Sequence, residues 1–304
     1  MRIVLALGGN ALLTRGETPD AARQRGHLRT AVRAIAEVSA DHELLIVHGN
    51  GPQVGLLANE SEADRSLSAP YPLGDLVAES QGLIGSWIQQ ELLNQGCPSV
   101  ALITQVLVDA DDPSFDAPTK PIGPLYDKAT AHRLAREHGW VVAPDTDGWR
   151  RVVASPPPQT VFGLGTAIRL IASGQAVILG GGGGIALSRQ DDSERSTFVP
   201  VEAVIDKDRA AGLIAASVGA GALIILTDVA GVMTDYGTPR QTLITRATPR
   251  TFFGYDFPAG SMGPKVTACC DFVESGPGRR AAIGALGSLA EVLAGTAGTQ
   301  IHRS

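Results

Sequence analysis

The chain has 304 residues, 44% hydrophobic and 18% charged, with a formal net charge of -6, which supports a sizeable core and excludes wholesale disorder. Its 25 lysines and arginines form no contiguous block, so neither a nucleic-acid surface nor a polybasic membrane patch is expected. No apolar run approaches the ~20 residues of a membrane span, and Cys97, Cys269 and Cys270, an odd set without Cys-x-x-Cys spacing, point to a reducing cytoplasm rather than to disulfides or zinc.

Residues 3–7 are a short apolar run stopped by Gly8-Gly9-Asn10, the mark of a buried strand feeding a tight turn. Leu28, Val32, Ile35 and Ala36 follow at helical spacing. A second strand over 44–47 runs into His48-Gly49-Asn50-Gly51-Pro52. Residues 75–96 carry a long helical stripe, in which Gly82 and Gly85 would each cost about 1 kcal/mol against Ala and so predict close packing of another backbone. A strand is expected over 100–108. Residues 109–158 break the rhythm, with four prolines before Tyr126, and read as an excursion with a helix at 128–138 and extended segments at 140–143 and 150–154. The rhythm then resumes: helix 161–172, strand 176–179, helix 208–218, strand 223–226 ending in Thr227-Asp228, a helix marked by Val266, Cys269, Cys270 and Val273, and a last strand and helix at 281–286 and 289–293. Strands that are continuous apolar runs alternating with helices predict an α/β fold with a mostly parallel sheet covered on both faces.

In open α/β sheets ligands bind at the carboxyl ends of the strands. Gly8-Gly9-Asn10, Gly49-Asn50-Gly51, Gly180 to Gly184 and Thr227-Asp228 all fall at that position. A P-loop is excluded because no Gly-Lys occurs in the chain. Gly181-x-Gly183-x-x-Ala186 satisfies a loose dinucleotide fingerprint with Glu202 downstream, but the polar stretch 188–196 offers no helix after the turn. An NAD enzyme is therefore the runner-up from another class.

Only four lysines occur, at 120, 128, 207 and 265, and their placement is informative. Lys120 lies in the excursion, Lys207 between Asp206 and Asp208 at a helix start, and Lys265 after Pro264, which fits a first helical turn. A cation there opposes the helix dipole, and a bound anion would reverse the sign. Lys128, beside Asp127, reads as solvated. Phosphoryl transfer asks mainly for alignment and positive charge around the moving group, which glycine turns and three isolated lysines can supply. Asp206 suits an N-cap that also orients the lysines, and His48 reads as structural rather than as a base.

With these residues in view, the chain resembles the carbamate kinases of the amino-acid kinase superfamily almost end to end: Ala6 to Leu12, His48 to Gly55, Pro118-Thr119-Lys120-Pro121-Ile122-Gly123-Pro124, Gly181 to Ile185, Val201 to Asp208 and Gly260 to Val266. The resemblance implies a three-layer αβα sandwich forming one domain over 1–304. An acceptor half (about 1–175) would carry a small protruding subdomain (about 109–158), and a nucleotide half (about 176–304) would complete it. It implies ATP or ADP with Mg²⁺, carbamate and carbamoyl phosphate as small-molecule partners, no protein metal ligands, and a homodimer. It assigns acceptor binding to Gly8, Gly9, Asn10, Gly49, Asn50 and Gly51. Transition-state contacts go to Lys120, Lys207 and Lys265, with Asp206 as organiser, and nucleotide binding to Gly181, Gly182, Gly183, Thr227, Asp228, Tyr236, Ser261 and Met262. Other amino-acid kinases carry a lysine before the first Gly-Gly where this chain has Ala6-Leu7, and Lys120 would supply that charge. The chain departs from the family pattern at 75–82, at 255–259, and at Ala154 and Ala186. The alternatives are a kinase of the same build with another carboxylate or carbamoyl acceptor, and a nucleotide sensor without turnover.

Overall fold

The computed structural model describes residues 1–9, 12–13, 17–145, 148–191, 195–257 and 261–304. Strand β1 (Arg2–Leu7) is followed by α1 (Ala21–Ser39), β2 (Glu43–His48), α2 (Gly51–Ala63), α3 (Leu73–Asn94), β3 (Ser99–Ala101) and β4 (Gln105–Val108). A small lobe then contributes β5 (Lys120–Tyr126), α4 (Lys128–His138), β6 (Val141–Asp145) and β7 (Gly148–Val153). The chain returns through β8 (Pro158–Val161), α5 (Leu164–Ala172), β9 (Ala176–Ile178), β10 (Ile185–Asp191), β11 (Ser196–Pro200), α6 (Lys207–Ser217) and β12 (Ala222–Thr227). It ends with the short strands β13 (Met233–Thr234), β14 (Thr242–Leu243) and β15 (Arg246–Ala247), then α7 (Met262–Glu274), β16 (Arg280–Ala285), α8 (Leu289–Ala294) and β17 (Thr299–His302).

The main sheet has the order β15-β17-β16-β12-β1-β2-β9-β3. Its central pairs are all parallel, and only the β16–β17 pair runs antiparallel. Because side chains alternate across a strand, Ile3, Leu5 and Leu7 of β1 join one core with α1, α3 and α8. Val4 and Ala6 join the opposite core with α5, α6 and α7. This is the expected αβα sandwich, and it explains why its strands read as unbroken apolar runs.

Four differences from the sequence reading have local causes. Residues 100–108 are two strands, because the Gln81 side-chain amide takes both the N–H and the carbonyl of Thr104 (2.7 and 3.1 Å) and the chain crosses into a second sheet, β11-β10-β4-β8. Val161 closes β8, and the helix starts only at Leu164, after Gly163 at φ 82°. Helix α2 was read as turn: glycine and proline occupy its first turn, where both are tolerated, and Val54, Ala58 and Ser61 form its buried stripe. The helix expected at 289–293 is present as α8, and strand β17 follows it at Thr299–His302, where no element was expected. Of the two glycines in α3, Gly85 packs against Ala101, whereas Gly82 faces open space, so close packing accounts for only one of them.

The lobe is a three-stranded antiparallel sheet, β5-β7-β6. Its strand prolines lie on the two edge strands, Pro121 and Pro124 on β5 and Pro144 on β6, where a missing N–H is tolerated. Helix α4 spans 128–138 as expected, capped by Asp127 accepting from the Thr130 N–H (2.9 Å) and closed by Gly139 at φ 70°.

A buried polar layer supports the strand ends. His48, 1% exposed, donates from Nδ1 to the Gly49 carbonyl (3.0 Å), and burial depresses its pKa to about 4 although that hydrogen bond opposes the shift. Asn50 donates to Ser80 Oγ (2.8 Å), and the Gly180 N–H donates to Thr104 Oγ1 (2.9 Å). Among the described residues no helix is long and apolar enough to cross a membrane.

Two outcomes are expected. Gly26 lies exposed in α1 with open space around its Cα, so Gly26→Ala should stabilise the fold by up to about 1 kcal/mol in urea unfolding; a loss would show that α1 is not a regular surface helix there. His48 titrates below its ordinary 6.5, so its contribution is complete above pH 6.5 and is lost as pH falls toward 4, by about 3 kcal/mol. Unfolding of wild type and His48→Gln across pH 4 to 8 should show that extra slope only in wild type.

Candidate active site

Helix α6 begins at the centre of the site. Asp206 is its N-cap, with Oδ1 accepting from the N–H groups of Asp208 (2.9 Å) and Arg209 (3.3 Å), which satisfies two of the donors a helix start leaves open. Its Oδ2 takes the Lys120 ammonium at 2.8 Å, bridging 86 residues of sequence. Two residues on, in the first turn, Asp208 uses both carboxylate oxygens: Oδ1 pairs with Lys207 and Oδ2 with Lys265 at 2.9 Å. Lys265 reaches it because α6 and α7 pack closely; a Cβ on Gly212 would meet the Ala268 carbonyl at 3.2 Å. Three of the four lysines thus converge on two aspartates.

The electrostatics follow from burial. Asp208 is 4% exposed at its side chain and Lys207 12%. Burial pushes the Lys207 ammonium below its ordinary value, and Asp208 opposes that shift. Burial pushes the Asp206 carboxyl up, but Lys120, Lys207 and the Arg209 N–H together outweigh it and hold the carboxyl below the usual range. Three ammonium groups against two carboxylates leave a formal surplus of one positive charge in a poorly hydrated pocket, where an incoming anion is strongly attracted.

Two further loops close on this cluster. A Cβ on Gly49 would meet the Gly9 nitrogen at 3.3 Å and Lys207 Cδ at 3.4 Å, and one on Gly8 would meet the Leu226 carbonyl at 3.1 Å. The N–H groups of Gly8 and Gly49 are already donated to Leu226 and Leu7 (both 3.0 Å). Their N–H groups are thus not free donors, and Gly49 contributes space beside Lys207 while Gly8 allows the close approach of β12. Gly51 opens α2. Asn50 is buried and turned inward to Ser80, and Asn10 lies outside the described residues.

Gly181, Gly182 and Gly183 are buried. Side chains added there would collide with the His48 ring, the Asn50 amide and the Ile205 backbone in turn. Gly182 and Gly183 also have φ of 64° and 91°, a region that favours glycine. The run is thus a packing device behind the cluster, and it continues into strand β10 rather than a helix, which removes the dinucleotide reading. Thr227 donates to Asp228 at 3.0 Å at the exposed end of β12. Ser261 is exposed and Met262 packs partly on the core at the start of α7, four and three residues before Lys265. Tyr236 is 69% exposed between β13 and β14. Lys128 is exposed, with its ammonium 5.5 Å from the Trp149 ring.

Asp208 was not singled out from sequence. The alternation Asp206-Lys207-Asp208 was visible, but the second use of Asp208 depends on where α7 delivers Lys265. The buried pair Gln81 and Thr104 gave no signal beyond being polar.

Comparisons with known proteins show the family. Residues 1–283 match the amino acid kinase family. The chain is 46% identical to a carbamate kinase of Rhizobium meliloti over its whole length, covering 94% of that relative, and 46% identical to one of Haemophilus influenzae, covering 97% of it. The solved carbamate kinase from Giardia lamblia bound to AMP-PNP superposes with a TM-score of 0.90 at 34% identity, covering 100% of this chain and 98% of that one. Matched from end to end in sequence and in fold, the chain belongs to the amino acid kinase family and, within it, to the carbamate kinases.

Proposed function

We propose that the lysine–aspartate cluster is the phosphoryl-transfer centre of a carbamate kinase, moving a phosphoryl group in line between ATP and carbamate and, in reverse, from carbamoyl phosphate to ADP. The observation that carries this reading is the convergence of Lys120, Lys207 and Lys265 on Asp206 and Asp208 beside Gly49. The transferring group spreads negative charge over three oxygens, and ammonium groups held in advance stabilise that charge without reorganising during the reaction. Asp206 and Asp208 keep the lysines in place between turnovers.

In this reading residues 1–175 form the acceptor half and 176–304 the nucleotide half. Gly8, Gly9, Gly49 and the open start of α2 at Gly51 shape the carbamate side, with Lys120 approaching from the lobe. Lys207 and Lys265 attend the phosphoryl, and Thr227, Asp228, Tyr236, Ser261 and Met262 are the nucleotide-side contacts. Both carboxylates of the cluster are taken by lysines, and among the described residues no group of three or more His, Cys, Asp or Glu forms a cage. That donor set fits a magnesium ion carried by the nucleotide's own phosphates and water, where it would neutralise phosphate charge. We assign a reducing cytoplasm from the three free cysteines. The exposed Leu83, Leu93 and Ile103 support a homodimer.

The direct assay is ATP formation from ADP and carbamoyl phosphate with Mg²⁺; a folded, nucleotide-binding chain without that activity would refute the substrate assignment. Lys120→Ala should stay folded and lose ~10²- to 10³-fold in kcat, and near-wild-type turnover would remove Lys120 from the centre. Asp208 holds the Lys207 pKa up against burial. In Asp208→Asn that support is gone, the Lys207 pKa falls, and the alkaline limb of kcat/KM should move to lower pH; an unmoved limb would contradict the pairing.

A further inference from the structure

Lys120 owes its position to the lobe, and the lobe is stitched to the core along one seam. Lys120 is paired in register with Val153, and Ile122 with Arg151, so both residues of β5 lie opposite the last turns of β7. Beyond β7, Ala154 forms a parallel bridge with Ala203 and its carbonyl accepts from the Val204 N–H at 3.0 Å. The strand thereby runs alongside the segment that ends in Asp206. Residues facing each other on an antiparallel pair share a face, and on this face Ile122 and Val153 pack with Val54 and Ala58 of α2. Gly55 and Gly123 approach so closely that a Cβ on Gly55 would lie 3.0 Å from the Gly123 Cα.

Arg151 lies on that face together with Lys120. Its guanidinium lies 3.4 Å from Glu202, 3.9 Å from Glu62 at the end of α2, and 4.9 Å from the centre of the Trp140 ring on the lobe. Glu202 also accepts the Leu73 N–H at 2.9 Å, at the start of α3. Arg151 thus joins the lobe to α2 and to the 202–206 segment, and Glu202 carries the link on to α3. Its planar fork can hold several partners at once in a way an ammonium cannot.

We propose that Arg151 is a positioning residue for phosphoryl transfer: it locks the lobe's sheet to the 202–206 segment and so delivers Lys120 to Asp206. This rests on Lys120 acting at the centre. The two charge contacts, Arg151 with Glu202 and Lys120 with Asp206, pin the same strand pair to the same short segment at two points. Removing the first leaves Lys120 with Asp206 as the remaining charge contact between that strand pair and the segment, on a seam otherwise held by backbone pairing and apolar packing.

Because the chain has four lysines, amine labelling read by mass spectrometry tests this without relying on turnover. In Arg151→Gln, labelling of Lys120 should rise about fivefold or more, while Lys128 on the same lobe stays within about twofold of wild type, as expected for a shifted but folded sheet. The kcat should fall by roughly 10- to 100-fold, the range a displacement of about 1 Å can produce, with Arg151→Lys recovering only part of it. The double variant with Lys120→Ala should be no slower than Lys120→Ala alone, since both act through one contact. Unchanged Lys120 labelling, or Lys128 rising with it, would overturn the proposal, as would independent multiplication of the two kinetic losses. If wild type fails to make ATP, the functional reading falls while the labelling outcome still decides the seam.

Discussion

Like charges cannot be gathered in a poorly hydrated pocket unless opposite charges lie between them, and this requirement organises the centre of the molecule. Burying an ammonium group unpaired costs several kcal/mol. Asp206 and Asp208, set two residues apart at the start of α6, meet that need for three lysines drawn from a lobe strand, from α6 itself and from α7. The carboxylates are in turn held by the helix: Asp206 caps it, and Asp208 lies in its first turn with the neighbouring helix pressed close at Gly212. The chemistry of the site and the packing of α6 against α7 are therefore one structural problem.

The polar layer behind the cluster answers a second constraint. Four parallel strands, β12, β1, β2 and β9, end on one edge, and their loops must turn without leaving buried backbone groups unpaired. His48, Gln81 and Thr104 supply such partners, and Asn50 is itself fixed by the Ser80 hydroxyl. The glycine run passes between them because no larger residue would fit. Its lack of side chains serves the protein's own packing, which from sequence alone looks the same as room left for a ligand.

What was legible in the sequence follows from the kind of signal each element carries. Strands buried on both faces show as apolar runs, so 3–7, 44–47 and 223–226 were readable. Asp127 and Gly139 bracket α4 with ordinary cap chemistry. The break at Leu102 to Thr104 was not readable, because Gln81, a residue far along the chain, ends the strand there. Helix α2 was hidden by the glycines and proline that begin it. At the site, Lys120, Lys207, Lys265 and Asp206 stood out through scarcity and context, whereas Asp208 and Arg151 act through partners that only the folded chain brings near.

The place of β1 in the sheet has a consequence for how the molecule is made. Its neighbours are β2 on one side and β12 on the other, so this central strand gains its second neighbour only when residues 222–227 have emerged. Until then it presents an unpaired edge lined with Ile3, Leu5 and Leu7, of the kind that recruits other chains. Contacts of such long sequence separation also slow folding. Lys265 joins Asp208 only after that stage, so a nascent or truncated chain carries that open edge before the lysine–aspartate cluster is complete.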